Sequence, residues 1–394
     1  MSSAKSKNLT ASYAPIQGLY WMYFAPVMSF SSFYLLSDGF TNTQIGVIAA
    51  IASILSAVLQ PVLASYADRP ESPSLKNLIQ LMYLLQIILA AGLFVSHSAV
   101  LTGILYGCSI TILLLLTPFI NALGMESINQ GYQLNFGLAR GAGSILYAVI
   151  CYVLGIITVK AGPVSIPSTV MLLCLLSLGA LALFPFSKST ASATTASTKA
   201  NLQSSPLAFF KKYKHFSLVV FGCIFIYLSH VLLNNFSFQI AVSKGGGSAE
   251  MGTASAIAAI SELPALFLFG FIIKKFRSNV LLKVSGIFYT LKALGTLLAP
   301  GIPVFFGVQV FQMLGWGLMT AASVYYVNTV MEPEDAIKGQ AYFTMSYTLG
   351  SVLASLLGGT LIDLAGTQAM LLFATVSALF GAVIIFIFAE RTSE

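Results

Sequence analysis

The sequence predicts an all-α membrane protein with twelve transmembrane helices, arranged as two six-helix bundles related by a pseudo-two-fold axis. Three observations lead there. Hydrophobic residues make up 57% of the 394 residues and charged residues only 8%, against about 25% charged in soluble domains. Mean hydropathy is +0.88, and the apolar residues gather in runs of about 20, the length needed to cross a hydrocarbon core. The 19 basic residues cluster in alternate gaps between those runs. With 12 acidic residues beside them, they are too few to cover a soluble domain. Composition therefore excludes a soluble enzyme, a disordered chain and a nucleic-acid-binding domain.

Hydropathy and turn signals place the spans in order. The first, 13–37, follows a short polar segment with Lys5 and Lys7. It is too long for a signal-peptide core and lacks a small-residue cleavage site, so it reads as a retained helix. Spans 44–66 and 76–96 flank a gap with Arg69 and Lys76, and spans 99–123, 136–160 and 165–186 complete the first half. The polar stretch 187–212, rich in Ser, Thr and Ala with scattered Lys, divides the spans six and six and reads as a flexible cytoplasmic linker. The second half holds spans 214–242, 250–273, 280–299, 302–330, 338–362 and 367–389. The domain expectation is thus 1–186, linker 187–212 and 213–394.

With both termini inside, fifteen basic residues face the cytoplasm: Lys5, Lys7, Arg69, Lys76, Lys188, Lys199, Lys211, Lys212, Lys214, Lys274, Lys275, Arg277, Lys283, Lys338 and Arg391. Only Lys160 and Lys244 lie outside. This predicts cytoplasmic N and C termini in a bacterial-type inner membrane, and makes the net charge of +7 an orientation signal. Cys108, Cys151, Cys174 and Cys223 all fall in apolar runs and read as small core residues without disulfides.

The halves overlay. Gln44-Ile45-Gly46 in span 2 matches Glu250-Met251-Gly252 in span 8 at an offset of 206, and Gly143-Ser144-Ile145-Leu146 in span 5 matches Gly350-Ser351-Val352-Leu353 in span 11 at 207. Parallel six-helix repeats characterise one large class of secondary transporters. Gly137, Gly141 and Ser144 also suit close helix packing, with or without transport.

Three ionisable residues carry most of the functional signal: Arg140 near the start of span 5, Glu262 in mid-span 8 and Lys292 in mid-span 9. A charge at the bilayer centre costs about 2.5–3.5 kcal/mol on insertion scales, so each should face the bundle interior with a partner. Glu262 and Lys292 suit one another, either as a structural salt bridge or as a proton- or substrate-linked pair. Pro264 should bend span 8 beside the carboxylate. Arg140, Ser144, Tyr147 and Cys151 share one helical face. The guanidinium and ring there suit a polyhydroxylated ring solute, or else Arg140 snorkels towards the surface and Tyr147 packs. Glu126, at the end of span 4, is a partner for Arg140 or a loop carboxylate. Neutral polar residues inside spans are Tyr20 and Tyr23, Gln60, Asn121, His230, Asn234, Asn235 and Gln239, Gln309 and Gln312. Each is a solute ligand or an interhelical bond. No phosphate-binding G-x-x-x-x-G-K-[ST], metal-ligand spacing or nucleophile elbow is present, so no cofactor is expected and uphill transport would draw on an ion gradient.

Twelve spans, a six-plus-six repeat and a basic central loop resemble the major facilitator superfamily. Ala64-Ser65-Tyr66-Ala67-Asp68-Arg69 is similar to that superfamily's loop between helices 2 and 3, with Ala64 at its Gly position; the resemblance makes Asp68 and Arg69 gate-locking charges. The second copy has Gly270 but Lys274 at the Asp position. Asn135-Phe136-Gly137-Leu138-Ala139-Arg140, followed by Gly143-Ser144, resembles the helix-5 segment of the lactose permease-like oligosaccharide/proton symporters. By that resemblance Arg140 binds sugar, Tyr147 stands at the stacking Trp, Ser261-Glu262-Leu263 matches their Gly-Glu-Leu, and Lys292 stands at their helix-9 Arg. Gln312 and Gly315 replace the coupling His and Glu of helix 10, Ala122 the sugar-binding Glu of helix 4, and Tyr347 the helix-11 Lys.

The expected function is secondary transport of a polar solute (a sugar, oligosaccharide or nucleoside), read as proton symport by alternating access of two rocking bundles around a central cavity. Solute contacts are expected from Arg140, Tyr147, Glu262, Asn234, Asn235, Gln312 and Tyr20, and proton coupling from Glu262, Lys292 and Glu126. A proton-linked exporter, an uncoupled uniporter and a non-transporting receptor are the alternatives. The expected partners are a small solute, protons and lipid, without nucleic acid, around a monomer.

Overall fold

The protein, seen in a computed structural model, is described over residues 8–186 and 206–389. Lys5, Lys7, Lys188, Lys199 and Arg391, and the linker up to residue 205, lie outside the described residues. Among the described residues, ten helices are long and apolar enough to span a bilayer. Two features bring the set to twelve. Helix α1 is divided into Thr10–Phe24, a π turn Ala25–Ser29 and Ser31–Ser37. The helical run Ala336–Phe388 has 53 residues, about 80 Å at 1.5 Å per residue, far beyond a core of about 30 Å. It reverses at Gly366, where φ is 82° and ψ 170°, a conformation open to a residue without a Cβ. The parts on either side, 336–365 and 367–388, are α11 and α12. The rest are α2 (Asn42–Ala67), α3 (Leu75–Val95), α4 (Ala99–Asn129), α5 (Phe136–Ala161), α6 (Ser165–Leu183), α7 (Lys214–Asn235, continued by Ser237–Ser243), α8 (Ser248–Lys275), α9 (Ser278–Leu298) and α10 (Ile302–Val330).

Each helix satisfies its own backbone, which hydrocarbon demands. Large apolar side chains such as Leu183, Leu364 and Phe271 stand more than 70% exposed, as expected of a lipid-facing belt. The buried residues fall into two compact units. The first takes residues up to Gly39 and those from Ile51 to the end of α6; the second takes Phe40–Ala50 and everything from Pro206 on.

In the first unit α1 packs on α5 and α6, and α3 on α4 and α6. Tyr13, Tyr20, Tyr23, Tyr83 and Tyr106 are fully buried. Tyr13 donates to the Ile120 carbonyl at 2.8 Å and Tyr106 to that of Pro26 at 3.1 Å, interhelical bonds of a kind that contributes about 0.6 kcal/mol each. In the second unit α7 lies along α11 and α12, and α9 packs on α10 and on the same pair.

The two halves of the chain repeat one another in backbone detail beyond the motifs visible in the sequence. Helix α1 is interrupted at Phe30 and α7 at Phe236, 206 residues later. Both end on a glycine with positive φ, Gly39 at 86° and Gly245 at 85°. The next helix is then capped by the side chain of its third residue: Gln44 accepts from the Thr41 amide at 2.9 Å and Glu250 from the Gly247 amide at 2.7 Å. The matched glycines also do one job twice. A Cβ on Gly143 would stand 2.6 Å from the Trp21 ring of α1, and one on Gly350 would stand 2.7 Å from the Ile224 carbonyl and 3.0 Å from Tyr227 of α7. Trp21 and Tyr227 are themselves 206 apart.

Two boundaries differ from expectation. Helix α4 continues to Asn129 through Gly124, whose missing Cβ leaves room for the Tyr13 ring; it ends before Gly131, at φ 90°. Glu126 therefore lies in the last turn of a helix rather than beyond it. The end of the expected linker is also ordered: Pro206–Lys212 is a helix. Phe209 is buried against Phe216 and Tyr342, and Lys212 bridges Glu332 at 2.6 Å and Asp335 at 2.9 Å. The Lys212 ammonium is held above its usual range by Glu332 and then Asp335. The Asp335 carboxyl is held below its own by Lys212.

Candidate functional site

The intramembrane charges of the sequence gather into two side-chain clusters, one in each unit.

In the first unit, Asn135 starts α5 by accepting from the Leu138 amide at 2.9 Å, and the first turn and a half carries Arg140. Its guanidinium carbon lies 4.0 Å from the Trp21 ring centroid, within cation–π range. Its Nη1 reaches the Ser144 hydroxyl at 3.4 Å, so the expected shared face of Arg140 and Ser144 is present. The π turn of α1 carries Ser29 to the Tyr147 hydroxyl at 2.7 Å. Phe24 sits between the two aromatic partners, 5.3 Å from Trp21 and 6.1 Å from Tyr147. Trp21, Arg140 and Tyr147 are all half-buried. The result is a cluster of three rings, Trp21 and Phe24 tilted by 34° and Phe24 and Tyr147 edge-on at 69°, with a guanidinium laid on the Trp21 face, which offers ring surface and hydrogen-bond donors to a ring-bearing solute. Cys151, on the same face, is fully buried.

Several expected ligands occupy other places. Tyr20 is 1% exposed, and its hydroxyl meets Thr117 and the Leu113 carbonyl, an interhelical contact. Glu126 accepts from Gln130 at 3.2 Å. Asn121 accepts from Gln17 at 3.0 Å, and Gln60 reaches the Leu114 carbonyl at 3.4 Å. Asp68 and Arg69 are exposed just beyond α2, with the Arg69 guanidinium 5.9 Å from the Tyr66 ring.

The second cluster is more deeply buried. Lys292 is 4% exposed and Glu262 9%. The Lys292 ammonium donates to Gln312 Oε1 at 2.7 Å, and Glu262 couples to it electrostatically. The expected pair is therefore joined by a third member, and Gln312 serves the ammonium. Local backbone explains this. Helix α10 tightens to a 3₁₀ turn over Val310–Gln312 and widens to a π turn over Met313–Gly317, which rotates successive side chains away from α-helical register. Gln312 then faces Lys292, the Gly315 carbonyl accepts from Ser285 at 2.6 Å, and Trp316 stacks on His230 with centroids 4.6 Å apart and planes 4° from parallel. Tyr289 meets the same imidazole edge-on at 5.4 Å. Its hydroxyl is buried with no hydrogen-bond partner among the described residues. The charge of Lys292 reaches His230 as well.

Asn234 is exposed and donates to His230 Nε2 at 3.0 Å and to its carbonyl at 2.9 Å. Asn235 is buried and donates to Ser355 at 3.2 Å. Gln239 donates to Asn42 at 2.8 Å, and the Gln309 carbonyl lies 3.4 Å from Ser261.

Trp21, Trp316, Tyr289 and Ser29 were not among the expected site residues. One signal was present: the chain has only two tryptophans, and each lies beside a basic or titratable residue of another helix. Hydropathy does not register that, because the pairing is between helices.

A sequence model of the MFS_1-like family matches residues 13–373. No curated protein sequence matches the chain. Among solved structures, a mutant of the nucleoside transporter NupG superposes with a TM-score of 0.80 at 13% identity, covering 97% of this chain and 99% of that one. The NupG crystal structure gives 0.76 at 15% identity, covering 97% and 98%. An autoinhibited POT-family peptide transporter gives 0.72 at 9%, covering 98% and 97%. These likenesses establish a shared fold.

Proposed function

The chain belongs to the MFS_1-like family of multi-pass membrane proteins, and from that premise we propose that it moves a polar, ring-bearing solute of the nucleoside or sugar class together with protons. The observation that carries the reading is the second cluster: a buried Lys292–Gln312 hydrogen bond, coupled to a buried Glu262, beside a Trp316–His230 stack. Buried ionisable residues in a membrane bundle are costly and mark transport or proton pathways. A carboxylate whose partner ammonium is shared with a neutral amide can give up or take a proton without leaving that ammonium bare.

The solute class rests on the rings. Trp21 and Trp316 are half-buried and offer apolar faces for a base or pyranose. Within the first unit Arg140 and Tyr147 supply edge hydrogen bonds beside Trp21, and within the second Asn234 supplies them beside the Trp316–His230 stack. NupG, which shares the fold, is a nucleoside transporter, and ring stacking with edge hydrogen bonds would serve a nucleoside here. In this reading Glu262 is the proton site, Lys292 its counter-charge, Glu126 a secondary carboxylate, and Asp68 with Arg69 a gate at the α2–α3 turn. The excess of Lys and Arg on one set of loops supports cytoplasmic termini in an inner membrane, and the protein works as a monomer.

The test uses purified protein in proteoliposomes. Nucleosides and sugars are added and external pH is followed, while tryptophan fluorescence reports binding at both clusters. Alkalinisation with one class and a fluorescence change lost in Trp21→Phe or Trp316→Phe are expected. Glu262→Gln should keep solute exchange and lose uphill accumulation. Full accumulation by that variant would remove proton coupling from the reading, and binding without pH change in the wild type would make the protein a uniporter.

A further inference from the structure

Where α1 and α3 end and α6 begins, the first unit holds a small cavity that the function above does not use. Its volume is about 180 Å³, and Tyr34, Asp38, Phe94, Pro163 and Pro167 line it. That is below the roughly 300–1,000 Å³ of a drug-sized site.

The polar groups around it are acceptors. Asp38 is exposed and closes the C-terminal end of α1. The last carbonyls of a helix already carry partial negative charge, so a carboxylate there is unfavourable by itself. Among the described residues Asp38 has neither an ion pair nor a side-chain hydrogen bond. Helix α3 also ends here. The chain leaves it extended at Ser96, and among the described residues no backbone amide returns to its last turn, so its carbonyls add to the same negative potential. Helix α6 offers no first-turn donor against it. The Ser165, Ile166 and Ser168 amides are bonded to the Gly162, Pro163 and Val164 carbonyls, and Pro167 has no amide. The nearest basic residues along the chain, His97 and Lys160, are exposed and do not line the cavity.

Tyr34 supplies the second acceptor. It is 8% exposed. Tyr106 stacks on its ring at 5.3 Å and 17°, and is itself anchored to the Pro26 carbonyl at 3.1 Å. The Tyr34 hydroxyl makes no hydrogen bond among the described residues, and the charge of Asp38 reaches it. A hydroxyl so deeply buried is costly without a partner. Beside a carboxylate it suits a group whose N–H bonds can serve both oxygens.

The remaining walls say which cation. A calcium or magnesium ion takes six or more oxygens. The lining side chains that carry oxygen are Asp38, Tyr34 and Ser37 alone, and the Ser37 hydroxyl already donates to the Tyr34 carbonyl at 2.7 Å. The Phe94 ring, 44% exposed, and the two prolines offer apolar surface that a bare ion cannot use and that a cation carrying its own carbon can.

We propose that this cavity binds a small primary alkylammonium ion, its N–H groups shared between the Asp38 carboxylate and the Tyr34 hydroxyl and its chain against Phe94 and the prolines.

The experiment titrates the full-length protein in neutral detergent with butylammonium and follows the ligand by saturation-transfer NMR. Butanol measures partition into the micelle, and sodium serves as the inorganic cation. Wild type should bind butylammonium saturably and butanol without saturation. Asp38→Asn should weaken binding by at least about tenfold and Tyr34→Phe by about threefold, as expected for losing a charged and a neutral acceptor. Asp38→Glu, which keeps the charge, should restore most of the affinity. Asp38 is exposed and Tyr34→Phe removes only a hydroxyl, so these variants leave the bundle intact. The control Glu71→Gln, at another exposed carboxylate of the same unit, should change binding by less than about twofold. Three results would overturn the proposal: Asp38→Asn binding like wild type, Glu71→Gln losing as much as Asp38→Asn, or sodium at equal concentration displacing butylammonium, which would assign the cavity to an inorganic cation.

Discussion

Replacing Gln312 with leucine tests the buried cluster where its chemistry is most exposed to measurement. Lys292 is 4% and Gln312 8% exposed, and the ammonium-to-amide distance is 2.7 Å. A hydrogen bond to a charged group contributes about 1.5–3 kcal/mol. Breaking a buried ionic contact outright costs about 3–5 kcal/mol, but the Glu262 charge still acts on the ammonium, so Gln312→Leu should cost about 2 kcal/mol, near the lower range. Lys292→Met removes the charge instead, leaving the amide unpaired and Glu262 without its cation. In the double variant the amide is gone too. Because Glu262 loses its cation in both Lys292→Met arms, its contribution cancels from the cycle, and the remaining coupling is the Lys292–Gln312 bond, about 1.5–3 kcal/mol. The assay is thermal unfolding in detergent for the four proteins. At about 2–4 °C per kcal/mol for a unit of this size, Gln312→Leu lowers Tm by about 4–8 °C, whereas adding it to Lys292→Met lowers Tm little further. Additive losses would show that the two side chains do not act on each other and would refute the reasoning.

Other consequences are simpler. Gly350→Ala should destabilise by about 1–3 kcal/mol, because its Cβ would meet the α7 backbone. Gly270→Ala, with nothing within 4 Å of the new methyl group, should be neutral or gain up to about 1 kcal/mol of helix propensity; unfolding of the two side by side checks this. The clamp on the Pro206–Lys212 helix should depend on pH at both extremes. The carboxyl of Asp335 is held below its usual value, so its contribution is present above about pH 4 and lost as pH falls through the lowered value. Lys212 is held above its usual value, so its contribution is present below about pH 10 and lost only as pH rises through the raised one. A spin label at Lys211→Cys should therefore show constant mobility from about pH 5 to 9 and loosen in acid, and Asp335→Asn should be loose throughout.

Membrane residence, the number of spans, their approximate ends and the duplication were legible in the sequence because hydrocarbon imposes a local rule. Each segment must satisfy its own backbone and present apolar side chains to lipid, so a run such as 165–186 declares itself without reference to any other. The cost of a buried charge is equally local, which is why Arg140, Glu262 and Lys292 stood out. Tertiary structure decided what those charges touch. Trp21 under Arg140, Gln312 on Lys292 and Trp316 against His230 depend on the rotation of each helix about its axis, which hydropathy does not encode. At two of the three that rotation is set by non-α turns, at Val310–Gln312 and Met313–Gly317 in α10. The turn at Ala25–Ser29 in α1 likewise sets Ser29 against Tyr147. A 3₁₀ or π turn changes the angle of every later side chain by a fraction of a turn while leaving composition and span length untouched. The pattern of apolar residues thus specifies that a helix crosses the membrane, and only packing against its neighbours specifies which of its faces meets which partner.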